Sequence, residues 1–158
     1  MRQMGWVFAA TCVTAMAIGR GRVVSASGQE NDRGDARTCS MATIRGDYGI
    51  QFQGTRPAPG GLTESVIGVV HRSYDGRGNI VQVDNVKGSI TGIVPDRPGF
   101  GTYEVNADCT GVARFDPGPG IHIEERLVIV RDGREIRTIT AVPGPVMVTG
   151  VQLRIHSR

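Results

Sequence analysis

His122, Glu124 and Glu125 stand close together in the chain, and imidazole beside carboxylates is a combination that ligates metals or moves protons. In a strand, side chains alternate between faces, so His122 and Glu124 share one face while Glu125 points the other way. One His and one Glu make half a metal site. A cupin-like site would want a second histidine where Glu124 stands, and His71 or His156 completes the set only if the fold brings their strands together. The reading taken is solvent-facing polar residues, with no metal and no cofactor. His71, Arg72 and Tyr74 form a second group, at the end of a strand-like run beside a turn. Arg72 and Tyr74 share a face, where a planar guanidinium holds a ligand carboxylate well; surface decoration is the plainer alternative. Residues 75–79, Asp-Gly-Arg-Gly-Asn, place oxygens beside glycine but lack the spaced carboxylates of a calcium loop, so they read as a hairpin turn. Neither a Gly-x-Ser-x-Gly elbow nor a phosphate-cradling glycine loop occurs.

The elements that must position these residues are short and β-like. The chain carries 23 glycines and 8 prolines, which fall mostly between apolar runs, and no stretch after the first segment keeps a helical apolar period. Period-two runs lie at 44–52, 63–74, 80–86, 89–94, 100–105, 111–115, 121–130, 135–142 and 146–155. Loops are expected at 55–61, 75–79, 95–99, 116–120, 131–134 and 143–145, the prolines of 95–99 stopping any ladder. Eight or nine strands joined by links too short for parallel crossovers are antiparallel. They either close into a barrel or stack as a two-sheet sandwich. Consecutive hairpins favour the all-β reading of an antiparallel up-and-down barrel of about eight strands, because closure removes both edges. A barrel of that size holds side chains or one small ligand.

The 158 residues divide into an export signal over 1–26, a flexible tether over 27–38 and a barrel domain over 39–158. The start, Met1-Arg2-Gln3, is followed by an apolar run over 4–18, too short to span a bilayer comfortably. Cleavage fits after Val24-Ser25-Ala26, with cuts after Ala17 or Gly19 and an uncleaved anchor as alternatives. The location implied is secreted or periplasmic, with no membrane partner after cleavage. The tether has no apolar residue larger than alanine and cannot offset its ordering entropy by burial. Removing 1–26 takes three arginines and no acid, leaving 15 basic against 15 acidic residues. The pI near 9.1 belongs to the uncut chain, so the charge supplies no argument for nucleic acid as a partner. Of three cysteines, Cys12 leaves with the signal. Cys39 and Cys109 remain, and in an exported domain two cysteines most simply pair.

Two motifs carry a resemblance. Residues 74–79, Tyr-Asp-Gly-Arg-Gly-Asn, and 101–111, Gly-Thr-Tyr-Glu-Val-Asn-Ala-Asp-Cys-Thr-Gly, resemble the pattern of a group of small secreted bacterial proteins, in which an early cysteine (here Cys39) precedes Gly-x-Tyr-Gly (here Gly46-Asp47-Tyr48-Gly49). That group is similar in turn to the allene oxide cyclase and lipocalin-like barrels. The similarity implies an eight-stranded barrel with a cavity for a small apolar molecule, used without a cofactor; no catalytic residue of those cyclases matches a position here. For such a cavity, Tyr48, Ile50, Phe52, Val70, Arg72, Tyr103, Leu127 and Ile129 are the candidate lining residues. Which strand face is inward stays open, because a one-residue slip swaps every side chain. Three functions follow as expectations: a binding barrel for a small apolar ligand, a cofactor-free cyclase or isomerase, and an extracellular structural or interaction module. Oligomeric state is not legible.

Overall fold

The computed structural model describes residues 38–155; the leader over 1–26, the tether up to residue 37, and His156 lie outside the described residues. Eight strands follow one another: β1 (Gly46–Ala58), β2 (Leu62–Tyr74), β3 (Asn79–Gly88), β4 (Gly92–Val105), β5 (Thr110–Gly118), β6 (Ile121–Val130), β7 (Glu135–Val142) and β8 (Met147–Arg154). Each pairs antiparallel with the next, and β8 returns to β1, from Tyr48 opposite Arg154 to Thr55 opposite Met147, which closes the barrel. The sandwich alternative is thereby excluded.

Three expected loops are strand in part or in whole: 55–58 extends β1, 95–99 lies within β4 and 116–118 ends β5, while Pro59–Gly61 is a 3₁₀ turn. The ladder of β1 with β2 runs on through Arg56 and Pro57 to Ala58; residues 89–91 form the β3–β4 turn, and 92–94 and 100–105 both belong to β4, so nine segments become eight strands. Proline has no amide hydrogen to donate, so Pro57, Pro95 and Pro98 fit a strand where a ladder partner is missing on one side. Here the proline stretches of β1 and β4 are paired on one side only: the β8 ladder ends at Thr55, and the β5 ladder begins at Phe100. A bulge between Asp84 and Val86 of β3 sets Pro95 and Asp96 opposite Asn85. Asp96 takes a positive φ of 49° and donates its amide to Asn85 Oδ1 at 3.2 Å, which lets β4 bend without ending.

The register also settles the face left open by the sequence. Along β2, Glu64, Val66, Val70, Arg72 and Tyr74 are buried while Ile67, Val69 and His71 are exposed. The two ends of the barrel then differ. At the end where β2 meets β3, a core of Ile44, Tyr48, Tyr74, Ile80, Tyr103, Ala113, Leu127, Ile129 and Ile136 fills the lumen. Tyr48, Tyr74 and Tyr103 pack edge to face, with centroids 5.4 and 4.9 Å apart. A 3₁₀ turn, Met41–Ile44, packs Ile44 against this plug and accepts Tyr103 Oη at the Met41 carbonyl, 3.1 Å. Cys39 is bonded to Cys109 across a separation of 70 residues, which ties the entry of the domain to the β4–β5 turn. Arg154 closes the same end, donating to Thr43 O and Tyr48 Oη at 2.8 Å and to Gly133 O at 3.1 Å.

Candidate functional site

Above the plug the barrel is not filled. A cavity of about 360 Å³ opens toward the end that carries the β1–β2, β3–β4, β5–β6 and β7–β8 links. Its apolar wall comes from inward positions of alternate registers: Ile50 and Phe52 of β1, Val66 and Val70 of β2, Val86 of β3, Phe115 of β5 and Ile123 of β6. Space for these rings is made by missing side chains. A Cβ on Gly68 would stand 2.3 Å from the Phe52 ring, so that ring lies over β2 only because residue 68 is glycine.

The polar lining is arranged in three charge pairs from rim to floor. At the rim, Glu64 accepts Arg56 Nε at 2.7 Å, the amides of Ile90 and Thr91 at 3.0 and 2.9 Å, and the Thr91 hydroxyl at 2.8 Å. The Thr91 amide, with Arg56, Ile90 and the Thr91 hydroxyl behind it, overcomes the cost of burial and holds this carboxyl down at about 2. Midway, Arg97 grips Asp84 with Nε and Nη2 at 2.9 and 3.0 Å. On the floor, directly above the plug, Arg72 donates Nε to Gln82 Oε1 at 2.8 Å and Nη1 to Glu125 Oε2 at 2.8 Å and Tyr74 Oη at 3.2 Å. Its guanidinium lies 4.5 Å from the Phe115 ring centroid. Burial opposes the Arg72 charge, but Glu125 and the Tyr74 hydroxyl more than offset it, and the pKa rises. Burial likewise pushes the Tyr74 phenol up, against the pull of Arg72. Tyr74 donates its own hydroxyl hydrogen bond to Gln152 Oε1 at 2.9 Å, and the Gln152 Nε2 is buried without a hydrogen-bond partner.

Of the eight candidate lining residues, Ile50, Phe52, Val70 and Arg72 line this cavity. Tyr48, Tyr103, Leu127 and Ile129 also face inward but belong to the plug. Arg72, at 1% exposure, is no surface decoration. The inward phase at Glu64, Gln82, Asp84 and Glu125, and the partners Arg56 and Arg97, went unread. The available signal was a polar residue in step with buried apolar neighbours, as in Ile80, Gln82, Asp84, Val86. His122 and Glu124 do share a face, and it is the outer one: His122 Nδ1 lies 2.6 Å from Asp116 Oδ1, and Glu124 is paired with Arg114 and Arg126 at 2.9 Å each. His71 is on the outer surface of β2. Among the described residues no three or more His, Cys, Asp or Glu side chains gather as a metal site. The 75–79 turn satisfies itself: Asp75 Oδ1 accepts the amides of Arg77 and Asn79 at 2.7 and 2.9 Å. No helix among the described residues is long and apolar enough to cross a membrane.

Compared with protein-family models the chain matches none, and no curated protein matches it.

Proposed function

We propose that this chain is an exported binding protein that takes one small, largely apolar molecule into the open half of its barrel. The observation that carries the reading is the cavity itself. An eight-stranded barrel can be packed solid with side chains, and the lower half of this one is; the upper half leaves about 360 Å³, a volume in the range of small-molecule sites. The Cys39–Cys109 bond and the apolar leader-like start support a secreted or periplasmic location, where such bonds persist. A closed antiparallel barrel is also what the resemblance to the small secreted group and to allene oxide cyclase and lipocalin-like barrels implies. No cofactor enters the reading.

A second reading, a cofactor-free cyclase or isomerase, is favoured by one observation, the Arg72–Glu125 pair at the base of the cavity. A buried ion pair is seldom retained for stability alone, and a fixed charge beneath an apolar substrate could bias one reactive conformer over another. The third, an interaction module, draws on the exposed outer residues Ile67, Val69, Val81 and Phe100, and fits less well with a barrel left hollow.

The test uses a neutral apolar dye such as N-phenyl-1-naphthylamine. Saturable fluorescence enhancement is expected in the wild-type protein and its loss in Val70→Trp, which fills the cavity, provided thermal melting shows the variant folded. Absence of saturable binding by the wild type, or equal binding by a folded Val70→Trp, rejects the cavity as a ligand site.

A further inference from the structure

The charges in the cavity constrain the head group of whatever enters it. Three arginines (Arg56, Arg72, Arg97) and three acids (Glu64, Asp84, Glu125) line the space, and each arginine is bonded to one acid at 2.7 to 2.9 Å. The lining is neutral, with no cation left over to neutralise an anion and no acid left over for a cation. A charged head would be desolvated in the lumen without a counter-charge, unless it broke a pair and stranded the released partner.

The floor nonetheless offers hydrogen bonds. Arg72 spends Nε and Nη1 on Gln82, Tyr74 and Glu125, and Glu125 accepts through Oε2. Nη2 of Arg72 and Oε1 of Glu125 take no part in these bonds, and both residues line the cavity. Arg72 is held in place by three hydrogen-bond partners and the Phe115 ring, so little reorganisation is needed to use it. A bonded guanidinium and carboxylate present a donor beside an acceptor, and the group that satisfies both at once is uncharged and amphoteric: a hydroxyl, an un-ionised acid or an amide. Above it the walls are Ile50, Val70 and Phe115, suited to a hydrocarbon body.

Resting on the cavity-binding reading, we infer that the ligand is a neutral amphiphile, an apolar body with one hydroxyl- or amide-type head seated on the Arg72–Glu125 pair, and that the cavity discriminates against carboxylates and ammonium ions of the same length. Specificity arises here from the penalty on wrong partners as much as from contacts to the right one.

The experiment measures displacement of the neutral dye by five probes of equal chain length: 1-octanol, octanamide, octanoate, octylammonium and 1-fluorooctane. Octanol and octanamide are expected to bind about tenfold or more tighter than either ion, and several-fold tighter than fluorooctane, which lacks the donor and most of the acceptor strength. Glu125→Gln, close in shape, leaves the lining with one excess positive charge; it should raise octanoate affinity about tenfold and close or invert the octanol preference. Asp84→Asn, which frees Arg97, serves as the second neutralised variant with the same expected direction. Octanoate binding the wild type as tightly as octanol, fluorooctane matching octanol, or an unchanged ratio in both folded variants overturns the inference while the binding cavity stands. If the dye binds and none of the five displaces it, the inference falls while the binding cavity stands; if the dye itself does not bind, the cavity reading falls and this inference with it.

Discussion

The two halves of this barrel are built from the same strands and the same alternation, yet one is packed solid and the other is hollow. At the plugged end the inward side chains are large and apolar, with three tyrosines meeting edge to face, and the chain entry is drawn over them by Ile44 and the Cys39–Cys109 bond. At the open end, glycines stand at inward positions 68, 88 and 99, and the side chains of Phe52, Glu64 and Gln82 occupy the space left. A Cβ on Gly88 would stand 2.2 Å from Glu64 Oε2, and one on Gly99 2.9 Å from Gln82 Cγ. The difference teaches where the stability of the domain resides. Apolar burial holds the plugged half together, whereas ion pairs that do little for stability by themselves shape the other half.

That contrast can be broken or sharpened by measurement. Replacing Cys39 and Cys109 with serine removes the tie on the plugged end and is expected to cost about 4 kcal/mol of unfolding free energy on the chain-entropy account, read by urea denaturation. A change near zero would mean that the plug holds without its tie. Leu127→Ala, in the plug, should cost about 3 kcal/mol, as buried leucine truncations do, whereas Val70→Ala, beside existing empty space, should cost about 1 kcal/mol or less. Equal losses would erase the distinction between the halves.

Acid should act on the rim next. The Glu64 carboxyl is held at about 2, first by the Thr91 amide and then by Arg56 and Ile90. A group whose folded pKa is depressed stabilises the fold above its unfolded pKa, near 4.5, and loses that contribution as pH falls through about 2. Asp75, at the opposite end, is also held at about 2, chiefly by the Asn79 side chain. Stability is therefore expected to fall between pH 4.5 and 2. Glu64→Gln should flatten the drop while Asp75 still contributes its own share, and denaturant midpoints at three pH values would separate them. The smallest effect belongs to the outer surface: His122→Ala removes an exposed pair with Asp116 and should leave both melting temperature and dye binding unchanged.

Much of the scaffold was legible because its signals are local. The hairpin turn at 75–79 is written in Asp75 and Asn79, which bond each other and neighbouring amides. Cys39 and Cys109 pair as two cysteines in such a domain should. The misread segments, 55–58, 95–99 and 116–118, all carry proline. A proline ends a ladder only on the edge its nitrogen faces, and whether a neighbouring strand lies on that edge is a property of the assembled sheet.

The amino-acid sequence by itself determined that this domain is antiparallel β and where most of its strands turn, since turn chemistry and alternation act over a few residues, and it left one pairing for the two cysteines of the barrel domain. Only the tertiary structure decided which face of each strand looks inward and that one end is filled while the other is open. It also placed Arg72 beside Glu125, 53 residues further along the chain. The physical reason is closure: a strand of period two has two equivalent faces until β8 pairs with β1 and makes one of them the inside.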